Sequence, residues 1–419
     1  MRTYEVGNEG GRAVLLAADT GDGWSAGESL AELARLAGTA GLEVVGEVTQ
    51  NLHDPQPRSY LGKGKLRELH EQQSTLRFNT VITDDELAPM QQRYLEEALD
   101  VQVLDRTAVI LHIFAQHART REGRLQVELA QYRYRLPRLT GRGVELSRLG
   151  AGINTRGPGE TKLESDRRRI RHRIAELERD LEGLRGQRAL QRRQRRASGI
   201  PVISLVGYTN AGKSTLMNAL TGANVLSTDQ LFATLDPTTR RLVLPNHQEI
   251  LLTDTVGFIQ KLPTDLVAAF RGTLEEIKEA DIVLHVVDAS HPQADAQADA
   301  VEDELEELGV HTKPRITALN KIDLIPKERV PLLRRRFPKS VAVSAANGTG
   351  LTALQTALAR QVAADFVTVL VRIPYANAEY VNLFRARGTV EQEDHRPEGT
   401  VIKGRLPLAL LSSFRPFLA

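Results

Sequence analysis

The chain has 419 residues, 26% of them charged and 41% hydrophobic, with a formal net charge of +2 at pH 7 and no cysteine. That length calls for about two to four domains with cores large enough to need no staples, and the missing cysteines exclude disulfides and thiolate metal sites, in keeping with a reducing cytoplasm. The N-terminal MRTYEVGNEGG lacks a basic patch followed by an apolar run, and stretches such as Ala108–Ile113 fall far short of a membrane span, so neither a secretory leader nor membrane insertion is expected.

Residues 1–116 alternate short apolar runs with amphipathic ones. Strands are expected at Arg12–Ala18, Leu42–Val48, Thr80–Asp84 and Val101–Asp105, and helices at Ser29–Leu36, Lys65–Glu71, Pro89–Leu99 and Thr107–His117. This alternation predicts an N-terminal α/β domain on a mainly parallel sheet. Residues 117–199 read differently. Leu125, Leu129, Tyr132 and Leu136 recur at helical steps, and Pro137 is expected to stop that helix. A glycine-rich stretch, GRGVELSRLGAGINTRGPGE, follows, and a second helix begins near Thr161. Its Ile170, Ile174, Leu177, Leu181 and Leu184 form a short a/d seam, so this segment predicts an antiparallel helical-hairpin linker with a glycine-rich tip.

Strand–helix alternation returns over 200–363, the span expected for a third, α/β domain. Residues 364–419 are expected to form a small C-terminal α/β domain, with strands at Val367–Ile373 and Gly399–Ile402 and a helix at Asn377–Ala386. The expected fold class is therefore α/β: an N-terminal α/β domain, a helical-hairpin linker, a P-loop domain with a mostly parallel sheet, and a small C-terminal domain.

The chemistry is concentrated in the third segment. Gly207-Tyr208-Thr209-Asn210-Ala211-Gly212-Lys213-Ser214 fits G-x-x-x-x-G-K-[ST] and directly follows the apolar strand Pro201–Val206. Glycines let the backbone N–H groups close around phosphate oxygens, and the helix N-terminus adds favourable partial charge. Lys213 is expected to reach the β/γ-phosphates and Ser214 to ligate Mg²⁺. Asn320-Lys321-Ile322-Asp323 follows the strand Ile316–Leu319. The Asp323 carboxylate can accept from guanine N1–H and the exocyclic amine, whereas adenine would leave it unpaired, so the motif predicts GTP over ATP. Asn320 is expected to brace the phosphate loop, and the stem of Lys321 to pack along the base. Ser344-Ala345-Ala346 stands where a backbone N–H would meet guanine O6.

Asp254-Thr255-Val256-Gly257 follows the strand Glu249–Leu252. A Ras-like reading gives Asp254 a Mg²⁺-bound water and the Gly257 N–H the γ-phosphate, whose loss would release the loop. Lys213, Asp254 and Gly257 are thus the candidate catalytic residues. Phe232-Ala233-Thr234-Leu235-Asp236 lies where the first switch belongs, with Thr234 as the second Mg²⁺ ligand and Thr238 as the runner-up. Two departures bear on mechanism. Phe258 stands where Ras-type proteins carry a water-orienting glutamine, so intrinsic hydrolysis should be slow or rely on another element. Asn210 resembles the asparagine by which some GTPases hold K⁺ near the β/γ bridge. It is equally readable as a loop-stabilising residue, and both readings stay open.

Four ordered motifs within 140 residues place the third segment among translation-factor-like GTPases. The flanks narrow the resemblance. Tyr60-Leu61-Gly62-Lys63-Gly64-Lys65, Gln126-Val127-Glu128-Leu129-Ala130 with Leu136-Pro137-Arg138-Leu139, and above all Gly152-Ile153-Asn154-Thr155-Arg156-Gly157-Pro158-Gly159-Glu160-Thr161 with Leu163-Glu164 and Asp166-Arg167-Arg168 resemble the HflX family, as do FATLDPTTR and DTVGFI. The resemblance covers about residues 1–360. It implies a cytoplasmic, stress-linked protein that binds GTP and GDP, docks on the large (50S) ribosomal subunit and its rRNA, and separates stalled or idle ribosomes. No DNA is expected as a partner, and a monomer suffices for the chemistry.

Arg167, Arg168, Arg169, Arg171 and Arg173, the cluster Arg192, Arg193, Arg195 and Arg196, and the tip residues Arg142, Arg148 and Arg156 suit rRNA phosphates, although intervening acids also fit a solvated helix face. Gly62-Lys63-Gly64-Lys65 reads as a basic rRNA-contacting turn in preference to a second phosphate site. Two rival functions remain: a nucleotide-driven RNA remodeller, and a GTP-gated ribosome-binding regulator that splits nothing.

Overall fold

The computed structural model describes residues 11–21, 25–52, 54–139, 158–197, 199–222, 231–261, 271–364 and 366–419. Its α/β character and mostly parallel sheets agree with the expected fold class. The chain divides into two units: Met1–Gly183 with Asp229–Leu235 and Lys261–Arg271, and Leu184–Thr228 with Asp236–Gln260 and Gly272–Ala419.

In the first unit, β1 (Arg12–Asp19), β2 (Glu43–Asn51), β3 (Thr80–Thr83) and β4 (Gln102–Asp105) form a parallel sheet in the order β2-β1-β3-β4. The reason is visible in β1, RAVLLAAD, whose interior is buried on both faces as strands covered by helices must be. Helices α1 (Ala26–Thr39), α2 (Lys63–Leu76), α3 (Pro89–Leu99) and α4 (Arg106–His117) supply that cover. Local chemistry sets their starts. Ser25 and Glu28 form a capping box on α1, and the Asp105 carboxylate accepts from Ala108 N–H at the start of α4. The core gathers Val14, Leu16, Leu69, Val81, Leu95 and Val103 among others.

Helix α5 runs Arg121–Arg138 and ends one residue after Pro137, in line with the expectation that this proline stops the helix. Only the last turn feels the missing N–H: the helix closes immediately afterwards, with Leu139 N–H donating to Arg135 and Pro137. Helix α6 spans Pro158–Ala197. Leu129, Leu177 and Leu181 form a shared core with Leu125, Tyr132 and Ile174 packed on it, and the ion pairs Arg133–Glu178 and Arg173–Glu128 flank it. The predicted seam is therefore used. The glycine-rich tip with Arg142, Arg148 and Arg156, and the side chains of Arg192, Arg193, Arg195 and Arg196, lie outside the described residues.

The second unit holds a six-stranded sheet of β5 (Val202–Gly207), β6 (Thr238–Val243), β7 (Glu249–Asp254), β8 (Ile282–Asp288), β9 (Arg315–Asn320) and β10 (Ser340–Ala342). Its order is β10-β9-β8-β5-β7-β6, parallel except for the antiparallel edge strand β6. Helices α7 (Lys213–Thr221), α8 (Arg271–Glu279), α9 (Ala294–Glu307), α10 (Arg329–Arg336) and α11 (Leu351–Ala364) alternate with the strands, α8 beginning one residue before this unit. Ile203, Leu205, Leu216, Leu252, Leu284, Ala318 and Leu358 belong to its main core. Strand order runs outward in both directions from β5, which makes the carboxyl end of β5 the topological switch point, where open α/β sheets bind ligands.

A three-stranded antiparallel sheet closes the chain: β11 (Phe366–Ile373), β13 (Gly399–Pro407) and β12 (Thr389–Arg396), in the order β11-β13-β12. Helix α12 (Ala378–Arg387) and the short α13 (Leu411–Phe414) cover it, with Phe384 packed edge-on against Phe414 at 5.6 Å between ring centroids. Among the described residues no helix is long and apolar enough to cross a membrane.

Candidate functional site

The sequence-predicted phosphate loop leaves β5 at its carboxyl end and turns into α7. Its first residues are held by two backbone bonds. Gly207 pairs with Phe258 (Phe258 N–H donates to Gly207 O at 3.1 Å), and Thr209 N–H donates to Phe258 O at 2.7 Å. Gly212 has φ +89°, and a Cβ there would lie 2.3 Å from Asn320 Nδ2, so only glycine fits. Asn210 also lies in the left-handed region, at φ +59°.

Lys213 starts α7, 6% exposed, and its Nζ donates to Gly207 O at 3.0 Å and Tyr208 O at 2.9 Å. Burial pushes its pKa down to about 8, against the opposing pull of the Asp254 charge. An ammonium in this surrounding is short of negative charge, which phosphate oxygens would supply. Next to it, Ser214 Oγ donates to Asp254 Oδ2 at 2.6 Å, and Asp254 is fully buried at the end of β7. Thr255 is fixed by donating to Leu205 O at 2.6 Å. Gly257 lies against the loop: a Cβ there would be 2.8 Å from Thr209 Cα and 2.9 Å from Lys213 Nζ. Val256 and Phe258 are buried. Ser214, Asp254, Gly257 and Lys213 are thus brought together as the motifs predict.

The segment expected to recognise the base is tied to the phosphate loop by one side chain. Asn320 Nδ2 donates to Ala211 O at 2.9 Å, and Asn320 Oδ1 accepts from Ala345 N–H at 3.0 Å. A single buried amide therefore braces the loop and the Ser344-Ala345-Ala346 segment together. Lys321 takes φ +60° and its Nζ lies 2.7 Å from Asp288 Oδ2 at the end of β8. Ile322 N–H donates to Val343 O, while Asp323 and Ala346 stay exposed. Ser344 is buried, its N–H donating to Thr349 O and its Oγ accepting from Asn347 N–H.

The first-switch residues divide between the units. Phe232, Ala233, Thr234 and Leu235 belong to the first, Asp236 to the second. Phe232 and Leu235 are buried, and Ala233, Thr234 and Asp236 are half-buried. The runner-up Thr238 opens β6, in register with Asp254. Sequence reasoning missed Asp288, which anchors Lys321, and the double backbone link from Phe258 to the phosphate loop. An aspartate ending an apolar strand one position before the guanine-motif strand was the only available signal for the first. Nothing signalled the second, because backbone bonds carry no residue preference.

Residues 27–115 match the family described as GTP-binding GTPase N-terminal, residues 117–195 GTP-binding GTPase Middle Region, and residues 202–321 50S ribosome-binding GTPase. The chain is 50% identical over 391 residues to GTPase HflX of Caldanaerobacter subterraneus subsp. tengcongensis, covering 93% of this chain and 90% of the relative. The chain belongs to the HflX family of GTPases. GTPase HflX of Escherichia coli strain K12 is 41% identical over 384 residues, 91% of this chain and 90% of that one. Among solved structures, a GTP-binding protein from the archaeon Sulfolobus solfataricus in complex with GDP is similar, with 26% identity, a TM-score of 0.44, and coverage of 84% of this chain and 98% of that one. The protein is accordingly a GTPase of the ribosome-binding type, and the family resemblance read from its motifs holds.

Proposed function

We propose that the protein is a cytoplasmic, monomeric, Mg²⁺-dependent GTP switch that docks on the large ribosomal subunit through rRNA and separates stalled or idle ribosomes under stress. The observation that carries the ribosome reading is the match of residues 202–321, which hold the whole phosphate loop and Asn320, to a 50S ribosome-binding GTPase family. Phe258 supports it from the chemistry. Its buried ring offers nothing to polarise a water, so turnover should wait for a partner that completes the site. Arg168, Arg169 and Arg171 on α6 are exposed and suited to phosphate contacts. Arg173 is not, because it joins α6 to α5 through Glu128.

In this reading Lys213 holds the β/γ-phosphates, Gly257 senses the γ-phosphate, and the loops at Asp323 and Ala345 select guanine. Ser214 and Asp254 offer hard oxygen donors 2.6 Å apart, the donor chemistry Mg²⁺ prefers. Ser214 and Thr234 would be its direct ligands and Asp254 would hold a bound water, and the ion would neutralise charge on the phosphates. Asn210 is the residue to which a K⁺ requirement would trace, and equal turnover in NaCl and KCl would remove that ion from the account.

The test is sedimentation of whole ribosomes with the protein. Dissociation into subunits with a non-hydrolysable GTP analogue, and none with GDP, is expected. Tight binding without dissociation would favour a GTP-gated regulator. ATP-driven unwinding of RNA that survives Asp323→Ala would favour an RNA remodeller.

A further inference from the structure

The segment that follows Gly257 carries a lysine whose partners are 176 and 177 residues away in sequence. Lys261 comes four residues after Gly257, and the chain passes there from the second unit into the first. Its Nζ donates to Asp84 Oδ2 and to Asp85 Oδ1, each at 2.5 Å. The receiving site is built. Asp84 is 1% exposed and also accepts from Ser29 Oγ at 2.7 Å and from Arg106 at 2.7 Å, and Arg106 in turn donates to buried Glu32 at 2.9 Å. Asp85 accepts from the Tyr60 hydroxyl at 2.7 Å.

Charge and topology both say that this crevice needs Lys261. Arg106 pairs with Glu32 and Asp84, and Lys261 brings a second cation to Asp84 and to Asp85 beside it. Burial raises the Asp84 pKa, yet the Arg106 and Lys261 charges outweigh it and hold the carboxyl below its usual range. The strand order β2-β1-β3-β4 reverses between β1 and β3, and Asp84 follows β3 directly, its N–H donating to Leu16 O in β1 at 2.8 Å. This is the switch point of the sheet, the crevice in which such sheets receive a ligand. Here it receives an ammonium group of the same chain. The other nucleotide-sensing segment is held in the same unit: Phe232, two residues before Thr234, packs edge-on against Phe114 with ring centroids 4.7 Å apart.

We propose that Lys261 is a positioning residue for the GTPase cycle: seated in the Asp84–Asp85 crevice, it tethers the segment after Gly257, so that the first unit responds to which guanine nucleotide is bound. By linkage, a tether that differs between nucleotide states must itself change the preference for GTP over GDP. The inference rests on the nucleotide site and is independent of the ribosome reading.

The experiment uses the full chain, with Lys261→Met, Asp85→Asn and Lys261→Arg compared with the wild type. Affinities for GDP and a non-hydrolysable GTP analogue are measured by fluorescence, with thermal melting as the folding control. A merely structural lysine would lower both affinities together. A tether changes their ratio by about fivefold or more in Lys261→Met, changes it in the same direction in Asp85→Asn, and leaves it within about twofold in Lys261→Arg. A folded, GDP-binding Lys261→Met protein with the wild-type ratio would overturn the tether alone. Failure of the wild type to bind guanine nucleotides would overturn the site and the tether with it.

Discussion

Asn320 offers the sharpest quantitative test of the nucleotide site. It is 1% exposed and makes two bonds, to Ala211 O at 2.9 Å and from Ala345 N–H at 3.0 Å. Ala211 and Ala345 are buried too, so Asn320→Ala strands one backbone acceptor and one backbone donor away from bulk water. Each stranded group costs about 1–3 kcal/mol, or about 2–6 kcal/mol for the pair. The lower end applies if a water enters the space left by the amide. Because these bonds hold the phosphate loop and the Ser344-Ala345-Ala346 loop in mutual register, the loss should appear in nucleotide binding. At 1.4 kcal/mol per decade, even the lower bound weakens GDP about thirtyfold. Fluorescence titration with GDP measures it, and melting of the nucleotide-free protein reports how much of the loss is global. Asn320→Asp should fare no better, because a carboxylate would face the Ala211 carbonyl. An Asn320→Ala protein that binds GDP within about threefold of wild type would refute the bracing argument.

Lys213 makes binding pH-dependent. Its pKa of about 8 lies below its ordinary value of 10.5 because it is buried, and bound phosphates should restore the protonated form. Calorimetry in buffers of different ionisation enthalpy should find GTP binding taking up about one proton near pH 9 and almost none near pH 6.5. The same shift acts on folding. Between about pH 8 and 10.5 the unfolded chain holds more protons on this residue, so its contribution to the stability of the nucleotide-free protein rises with pH across that window. Lys213→Met should abolish both effects. In the proposed guanine site Asp323→Asn would remove the acceptor for N1–H and the exocyclic amine, and a loss of GTP affinity of about 100-fold or more is expected in the same titration.

How much of this was legible beforehand depends on whether the determinant is local. The phosphate loop, Asn320-Lys321-Ile322-Asp323 and Asp254-Thr255-Val256-Gly257 could be read because each is a short run attached to an apolar strand. The seam of α6 was legible for the same reason: Ile174, Leu177 and Leu181 recur at helical steps and meet Leu129. Strand β12, TVEQEDHR, was not, since it offers almost no apolar alternation and is formed by its ladder with β13. The stop at Pro137 was legible as well: without an N–H it cannot donate to the carbonyl four residues back, and the helix ends one residue later. The partners of Lys321 and Lys261, Asp288 in one case and Asp84 with Asp85 in the other, are set by tertiary approach, and no spacing rule reaches them.

Turnover is the most direct test of a GTP switch completed by the large ribosomal subunit. GTP turnover should be measured with and without purified large subunits, with ATP and Lys213→Ala as controls. Slow turnover alone, a strong rise with subunits and GTP only, and loss of that rise in Lys213→Ala are expected. Turnover indifferent to the subunit would contradict this reading and leave a GTPase whose activator lies elsewhere.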